Sequence, residues 1–476
     1  MQRSFDGGPS QSRSSSLRSA VEHKVVDMEA LLEYAFEASK DYVRGLDERS
    51  VMPPESDISA LSSLRESLPV GPSDPGTTLK TLKNTVAPAT VTTTGGRFFG
   101  FVVGGALPVT VAASWMASTW DQNAGSWILA PGAIELESIA AEWMLDILDL
   151  PRDAAVGFVT GSTMGTFSAI AAARSALLNK IGYDVKARGL TDAPRLRIVM
   201  SDEVHPTNVA ALGYAGIGTD QIERVPTDEQ GRLLVDEMPD LDEKTIVILQ
   251  AGNINSGAFD PFEQVCHLAS QAGAWVHVDG AFGLWARASE SKRHLTTGIE
   301  LADSWSVDGH KWLNLPQDSA VYMCRDHEAV ADVFATHATY LMRDERRQPS
   351  NFVPELSRRA RGVEFWAALK TLGRSGVNEL VDRCCRHARR LAEGLSELGF
   401  EVLNDVVLNQ VVFSSESDER NQIILDYIQN SGKIWLGPTT WKSRSAMRFS
   451  ISSWATTEKD VQTAIEVLSE ASQNSS

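Results

Sequence analysis

SVDGHKWLNLP, residues 306–316, places a lysine directly behind a histidine in a loop that follows an apolar, strand-like run. Lys311 is positioned to do what few surface lysines do, which is to form a Schiff base with an aldehyde cofactor. Further upstream, WVHVDGAFG (275–283) indicates another buried strand, which ends in Asp279. A carboxylate at a strand end and a lysine on a later loop are the two groups needed to hold pyridoxal phosphate.

Each half of this pair has a structural alternative. Most lysines are solvated or paired with an acid, and an aspartate before a glycine is a common turn former or helix cap. Together they favour the cofactor, because Lys311 supplies the amine and Asp279 keeps the pyridine nitrogen protonated, so that the ring accepts electrons. His310 is expected to reach the phosphate or to shape the turn. The small Ala281 is expected to let the ring lie close to the strand.

A third group of candidates opens a predicted helix. TGSTMGT, residues 160–166, indicates a polar turn that leads into a helix of small residues. Backbone N–H groups after Gly161, with the hydroxyls of Ser162 and Thr163, suit a phosphate dianion at the positive end of a helix dipole. The alternative is an ordinary Ser/Thr helix cap that binds no ligand.

Four segments carry a resemblance to a known family: GSTMGT at 161–166, SDEVHPTN at 201–208, HVDGAFG at 277–283 and HKW at 310–312. In this order they resemble the group II pyridoxal-phosphate-dependent amino acid decarboxylases, which include the aromatic amino acid and glutamate decarboxylases. The resemblance runs from about residue 85 to the C-terminus. It implies an α/β protein of fold type I, with a mostly parallel, seven-stranded sheet covered by helices in a large domain, and a small C-terminal α+β domain.

The resemblance also implies roles for single residues. His205 would stack on the cofactor ring and assist proton transfer, and Asn253 would lie near the phenolic or phosphate side of the cofactor. Arg448 matches a position that often binds the substrate carboxylate, and Phe101 could line the substrate entrance. The structural alternatives are a capping histidine, a turn asparagine, a solvated arginine and a core phenylalanine. Asp308 stands near the cofactor where relatives carry a neutral residue, and a carboxylate beside a phosphate is unfavourable unless it is protonated or turned away.

Composition narrows the classes of function. The chain has 476 residues, 43% of them hydrophobic, and a net charge of −18, which argues against nonspecific binding to nucleic acid or anionic membranes. No apolar run reaches the roughly 18–20 residues that span a bilayer. The cysteines show no metal-ligand spacing, and the adjacent Cys384 and Cys385 are not expected to pair, so a cytoplasmic location without a bound metal is predicted. The basic segment 357–361, SRRAR, is expected to be a solvated helix face or an intersubunit contact.

Four parts are predicted along the chain. Residues 1–20 lack the apolar core of a secretory signal and are expected to form a disordered tail, followed by a helical segment over 21–95. Residues 96–350 alternate helix-length segments with continuous apolar strands, which indicates a cofactor-binding domain whose sheet is covered on both faces. Residues 351–476 are expected to form the small domain. By resemblance, 21–95 packs on a partner subunit, which implies a homodimer with its active site at the interface.

The sequence thus predicts a pyridoxal-phosphate-dependent lyase that removes the α-carboxylate of an amino acid. Transamination, β-elimination and a scaffold without chemistry are the alternatives. Related decarboxylases carry a loop tyrosine that donates the proton needed to form an amine, whereas phenylalanine there leads to oxidative decarboxylation and an aldehyde. The stretch 342–359 contains no tyrosine, and its only aromatic residue is Phe352; Tyr340 precedes it, and His337 could donate the proton. An amine is the expected product, and the substrate side chain is left open.

Overall fold

The computed structural model describes residues 27–335 and 346–475, which fall into two units. The first unit, residues 27–49 and 53–91, contains helices α1 (Met28–Arg44), α2 (Glu55–Ala60) and α3 (Pro75–Thr81). The side chain of Asp27 caps α1 by accepting a hydrogen bond from Ala30 N. Along α1, Leu32 and Phe36 are 46% and 50% exposed. The predicted tail, residues 1–20, lies outside the described residues.

The second unit comprises Ser50–Met52 and the described residues from Thr92 onward. Its helices are α4 (Pro108–Trp120), α5 (Pro131–Ile147), α6 (Ser162–Lys180), α7 (Val185–Arg188), α8 (Pro206–Tyr214), α9 (Phe262–Ala272), α10 (His327–Phe334), α11 (Gly362–Glu397), α12 (Asp418–Ser431) and α13 (Glu458–Asn474). Its strands are β1 (Ala155–Val159), β2 (Arg197–Ser201), β3 (Ile222–Val225), β4 (Thr245–Gln250), β5 (Trp275–Asp279), β6 (Ser304–Asp308), β7 (Ala320–Cys324), β8 (Glu401–Val402), β9 (Gln410–Ser414), β10 (Gly437–Trp441) and β11 (Arg444–Ser450).

The predicted seven-stranded sheet is present and mostly parallel, with the order β1-β7-β6-β5-β4-β2-β3 and with β7 antiparallel to both of its neighbours. Successive residues of its strands enter two different cores: Val247 and Leu249 of β4 pack on the side of α5 and α11, whereas Ile246 and Ile248 pack on the side of α6, α8 and α10. This two-sided burial explains the continuous apolar strands of the sequence. A second, antiparallel sheet has the order β10-β11-β9-β8.

Three neighbouring parallel strands end at the same edge of the large sheet with polar residues. β4 ends at Gln250, β5 at Asp279 and β6 at Asp308, and the register pairs Gln250 with Asp279 and Asp279 with Ser306. The carboxyl ends of parallel strands are where open α/β sheets bind ligands. The sheet therefore places these side chains within reach of one another.

The arginines of residues 357–361 correct one expectation from the sequence. Arg358 is not solvated: its side chain is fully buried, pairs with Glu137 of α5 at 2.6 Å and donates to the backbone oxygens of Ala124 and Phe158. Arg361 is also buried and pairs with Asp318 at 3.1 Å. The segment is an internal anchor, because the buried carboxylate of Glu137 requires a cationic partner.

No helix in the described ranges has both the length and the apolar composition required to cross a bilayer. The division of the chain at residues 20, 95 and 350 stays a prediction.

Candidate active site

Most of the predicted residues line one cavity of about 180 Å³ at the carboxyl edge of β4, β5 and β6. Of the ten residues predicted to bind the cofactor, all but Asn253 belong to its wall. The lining is Gly161, Ser162, Thr163, His205, Thr207, Gln250, Gly252, Ile254, Asp279, Ala281, Phe282, Asp308, His310 and Lys311. The cavity therefore brings an amine, two carboxylates, two histidines and the start of α6 together.

Lys311 faces a carboxylate inside this cavity. Its Nζ lies 2.7 Å from Oδ2 of Asp308, and the other oxygen of Asp308 accepts the backbone N–H of Ser162 at 2.6 Å. Burial opposes ionisation of Asp308, but Lys311, His310 and the hydrogen bonds from Lys311 and Ser162 outweigh it and hold the pKa of this carboxyl below its ordinary value. Asp308 is thus an ionised residue in the cavity and is not turned away from it.

Asp279 has both of its oxygens oriented by hydrogen bonds. Asn208 Nδ2 donates to Oδ2 at 2.7 Å, and the backbone N–H of Ala281 donates to Oδ1 at 3.1 Å. Asn208 lies in the first turn of α8 and also donates to the backbone oxygen of His205 at 3.3 Å. The sequence did not single out Asn208, although it belongs to the segment SDEVHPTN. It ties the carboxylate of Asp279 to the start of α8.

His205 both caps a helix and lines the cavity, so its capping role does not exclude the predicted role beside the cofactor. It is the N-cap of α8, where Nδ1 accepts the backbone N–H of Thr207 at 3.3 Å and lies 2.7 Å from the Thr207 hydroxyl. Burial lowers the pKa of His205, with the Asp279 carboxylate acting against it. A neutral imidazole at neutral pH suits stacking on a ring and proton transfer.

The start of α6 fits a phosphate group. Gly161 precedes the helix with extended backbone, and the buried Oγ of Ser162 has no hydrogen-bond partner among the described residues. Ser319 N donates to Nδ1 of His310, and burial lowers the pKa of that histidine, which leaves Nε2 as a neutral donor. A phosphate here would supply acceptors for the Ser162 hydroxyl and for His310.

Three predicted residues lie outside the cavity wall. The side chain of Asn253 accepts the backbone N–H groups of Asn255 and Ser256, at 2.8 and 3.2 Å, and so builds a turn. Phe101 is 65% exposed and stacks on Trp435. Arg448 donates to the backbone oxygen of Ile254, a cavity residue, at 2.9 Å, and thus lies directly behind the wall. The roles predicted for these three residues stay predictions.

Gln250 is an amide residue of the cavity that was not predicted from the sequence. It ends β4, lines the cavity, and donates through Nε2 to the hydroxyl of Ser201, the last residue of β2, at 3.3 Å. The signal was available, because Gln250 follows a buried apolar run in the same way as Asp279. Phe282 and Ile254 supply apolar surface in the same cavity.

Comparisons with known proteins identify the family and the structures that this chain resembles. The model of the pyridoxal-dependent decarboxylase conserved domain matches residues 60–416. An aromatic-L-amino-acid decarboxylase of Bacillus atrophaeus is 28% identical and aligns over 87% of this chain and 88% of its own length. A phenylacetaldehyde synthase of a Rosa hybrid cultivar is 26% identical over 86% and 87%. The crystal structure of Oryza sativa TDC with PLP and tryptamine superposes with a TM-score of 0.86 at 24% identity, over 95% of this chain and 99% of that one.

Proposed function

This chain belongs to the pyridoxal-dependent decarboxylase family, and we propose that Lys311 is the residue that attaches its pyridoxal phosphate. The protein is a pyridoxal-phosphate-dependent lyase that removes the carboxylate of an amino acid. The observation that supports Lys311 is its convergence with Asp279 in one cavity, beside the start of α6.

Each group of cavity residues would have its own role in binding the cofactor or in the reaction. When bound, pyridoxal phosphate withdraws electrons from the bonds at the substrate α-carbon. Asp279, oriented by Asn208, would keep the proton on the ring nitrogen, and neutral His205 would stack on the ring and exchange protons with the substrate. The start of α6 and His310 would bind the phosphate. Ile254 and Phe282 would exclude water from the carboxylate that leaves.

The proposed substrate is an aromatic amino acid and the proposed product its amine. The relative from Bacillus atrophaeus is an aromatic-L-amino-acid decarboxylase, and the apolar side chains of Ile254 and Phe282 in the cavity wall suit an aromatic ring.

Two measurements test this proposal. Borohydride reduction of the holoenzyme, followed by peptide mapping, should find the cofactor on Lys311, and Lys311→Ala should lose the visible absorption band and turnover together. Incubation with the twenty amino acids should release CO2 and amine most rapidly from an aromatic one. Cofactor fixed on a different lysine would contradict the assignment, and faster release from glutamate or aspartate would contradict the substrate class.

A second candidate function, oxidative decarboxylation to an aldehyde, is favoured by the likeness to a phenylacetaldehyde synthase. Phe352 does not argue for it, because its ring packs against the ring of His327 and the guanidinium of Arg347 and lies outside the cavity wall. Tyr340 and His337 lie outside the described residues. The hydroxyl of Tyr322 is already bonded to the backbone oxygen of Phe352, so His337 or a residue of the partner subunit is the proposed proton donor.

Product analysis separates the two candidates. Amine formed one-for-one with CO2, without peroxide, supports the lyase that forms an amine, and His337→Phe should then shift the product towards aldehyde if His337 is the donor. Oxygen consumption and peroxide in proportion to CO2 would establish the aldehyde route in the unmodified enzyme.

A homodimer and a cytoplasmic location complete the proposal. Helix α4 exposes Trp115, Met116 and Trp120 by 39%, 53% and 45%, and neighbouring exposed apolar side chains of this size mark a candidate interface. A second copy of this chain is the proposed occupant, with the N-terminal helices packing on it. The four cysteines are buried and unpaired, which supports a reducing compartment.

A further inference from the structure

Asp308 distinguishes this site from the pattern expected of a phosphate-binding helix start. Its side chain is buried, and its two oxygens bridge two elements: Oδ1 accepts the backbone N–H of Ser162, the first residue of α6, and Oδ2 pairs with Nζ of Lys311. The carboxylate therefore binds one of the backbone donors at the helix start that a phosphate would use, and also the nearest cation.

The backbone holds Asp308 in this place. Its N–H donates to the backbone oxygen of Ala281 at 2.9 Å, and its carbonyl accepts the indole N–H of Trp285, a fully buried side chain, at 3.1 Å. Breaking either bond would leave a polar group without a partner at the edge of the sheet. The main chain of Asp308 is consequently held at the edge of the sheet, from which its carboxylate reaches the start of α6.

The charges around Asp308 make its contact with a phosphate unfavourable. His310, whose Nε2 lies 3.7 Å from Oδ1, is kept neutral by burial, as is His205. Asp279 adds a second carboxylate, and Arg448 directs a guanidinium nitrogen to the backbone oxygen of Ile254. Lys311 is already paired with Asp308. A phosphate dianion would thus face Lys311, whose charge is already balanced by Asp308, and the negative charge of Asp308 itself.

We propose that Asp308 couples binding of the cofactor phosphate to the uptake of one proton from solvent, shared between Asp308 and the phosphate. This inference rests on the proposed function, because it requires the phosphate to bind at the start of α6. In this role Asp308 is a positioning residue: it holds Lys311 and the helix start together, and it makes loading of the cofactor weaker as the pH rises.

Calorimetry with a cofactor analogue tests the coupling directly. Pyridoxine 5′-phosphate carries the ring and the phosphate but an alcohol in place of the aldehyde, so it does not bond covalently to Lys311. Titrating the apoenzyme at pH 8, where a free phosphate ester is largely dianionic, in two buffers with different heats of ionisation counts the protons taken up. We expect close to one proton per site in the unmodified protein, and none with pyridoxine, which lacks the phosphate.

Asp308→Asn removes the charge and keeps an acceptor for the backbone N–H of Ser162. This variant should take up fewer protons per site than the unmodified protein, by about half a proton or more. It should also bind pyridoxine 5′-phosphate about tenfold more tightly at pH 8, the ratio that corresponds to one pKa unit. Asp303→Asn is the matched control. Asp303 directly precedes the first residue of β6, at the end of the strand opposite Asp308, and accepts the backbone N–H of Val276 at 2.7 Å. The control should keep the proton count and affinity of the unmodified protein.

Equal proton uptake and affinity in Asp308→Asn and in the unmodified protein would overturn the coupling. If Asp308→Asn does not fold, as judged by circular dichroism, Asp308→Ser keeps a short acceptor and the same comparison decides. An unmodified protein that attaches pyridoxal phosphate to Lys311 yet takes up no proton overturns the coupling alone. Failure to attach it to Lys311 overturns the proposed function, and the coupling with it.

Discussion

Asp279 is oriented more completely than a turn aspartate requires, since each of its oxygens accepts a separate hydrogen bond, from Asn208 and from Ala281. Asp279→Asn should keep the fold but lower kcat/KM by roughly a hundredfold, as is typical when a fixed charge is removed from an active site. The physical reason is that an amide does not stabilise a proton on the ring nitrogen. The measurement is steady-state kinetics, with circular dichroism as the check on folding.

The control for this change is Asp326→Asn. Asp326 also follows a strand, β7, and caps α10 by accepting the backbone N–H of Ala329, a task that asparagine performs as well. Full activity is expected there. Full activity in Asp279→Asn as well would reduce Asp279 to a turn residue.

At this scale, the sequence predicts residues whose position follows from a strand end or a helix start. Lys311, Asp279 and Ser162 reach the cavity for that reason, and Gln250 could have been found by the same rule. Asn208 could not, because its partner Asp279 is brought to it only by packing of α8 beside β5. Asn253 has the right residue type, but its side-chain oxygen accepts the next backbone N–H groups and builds a turn, while its buried Nδ2 has no hydrogen-bond partner among the described residues.

Among the elements, the ion pair between Glu137 of α5 and Arg358, just before α11, is the contact that the sequence did not predict. Arg358→Met would leave the buried carboxylate of Glu137 beside only Arg347, at 3.5 Å. Breaking a buried ion pair in this way costs about 3–5 kcal/mol. We expect a clear fall in the urea concentration at the midpoint of unfolding.

Arg386→Met provides the comparison, because Arg386 pairs with Glu379 at 3.0 Å while both side chains are at least half exposed, 55% and 50%. Such a pair contributes about 1 kcal/mol or less. Equal midpoints for the two variants would show that the internal anchor contributes no more than a surface pair.

Elements differ in how far local sequence predicts them. Local sequence is sufficient to indicate the capping box of α13, in which Thr457 and Asp460 exchange hydrogen bonds, because both residues lie within four positions of the chain. The burial of Arg358 depends on Glu137, far away along the chain, and the run of arginines gave no sign of it. The strands β3 and β8 are four and two residues long, which is too short for a hydrophobic period to indicate them.

For the whole molecule, the exposed apolar side of α4 predicts self-association. Trp115→Glu should convert the proposed dimer into a monomer, because it places a charge within the proposed apolar interface. Size-exclusion chromatography with light scattering measures the change. Leu268→Glu on α9, where leucine is 42% exposed, is the control and should remain a dimer. A Trp115→Glu protein with unchanged mass would place the interface elsewhere or show that the protein is monomeric.

The large-scale architecture follows from the sequence because alternating helices and continuously apolar strands permit few other arrangements. The mostly parallel, seven-stranded sheet matches the fold expected from the resemblance. Substrate choice does not follow in the same way. It depends on side chains such as Ile254, Phe282 and Arg448, which come from separate loops and from the smaller sheet, and no local pattern connects them.

Gln250, Asp279 and Asp308 are the last residues of adjacent strands, and this gives the enzyme an uneven tolerance to change. Neighbouring strands lie about 4.8 Å apart, and one residue inserted within β5 would turn Asp279 to the opposite face of the sheet. The segment after Asp308 is constrained as well, because Lys311 contacts Oδ2 of Asp308 from three residues further along the chain. Natural drift and laboratory libraries should therefore retune the accepted amino acid through substitutions in the cavity wall, such as at Ile254 and Phe282, whereas the strands and the segment from Asp308 to Lys311 should accept almost no change in length.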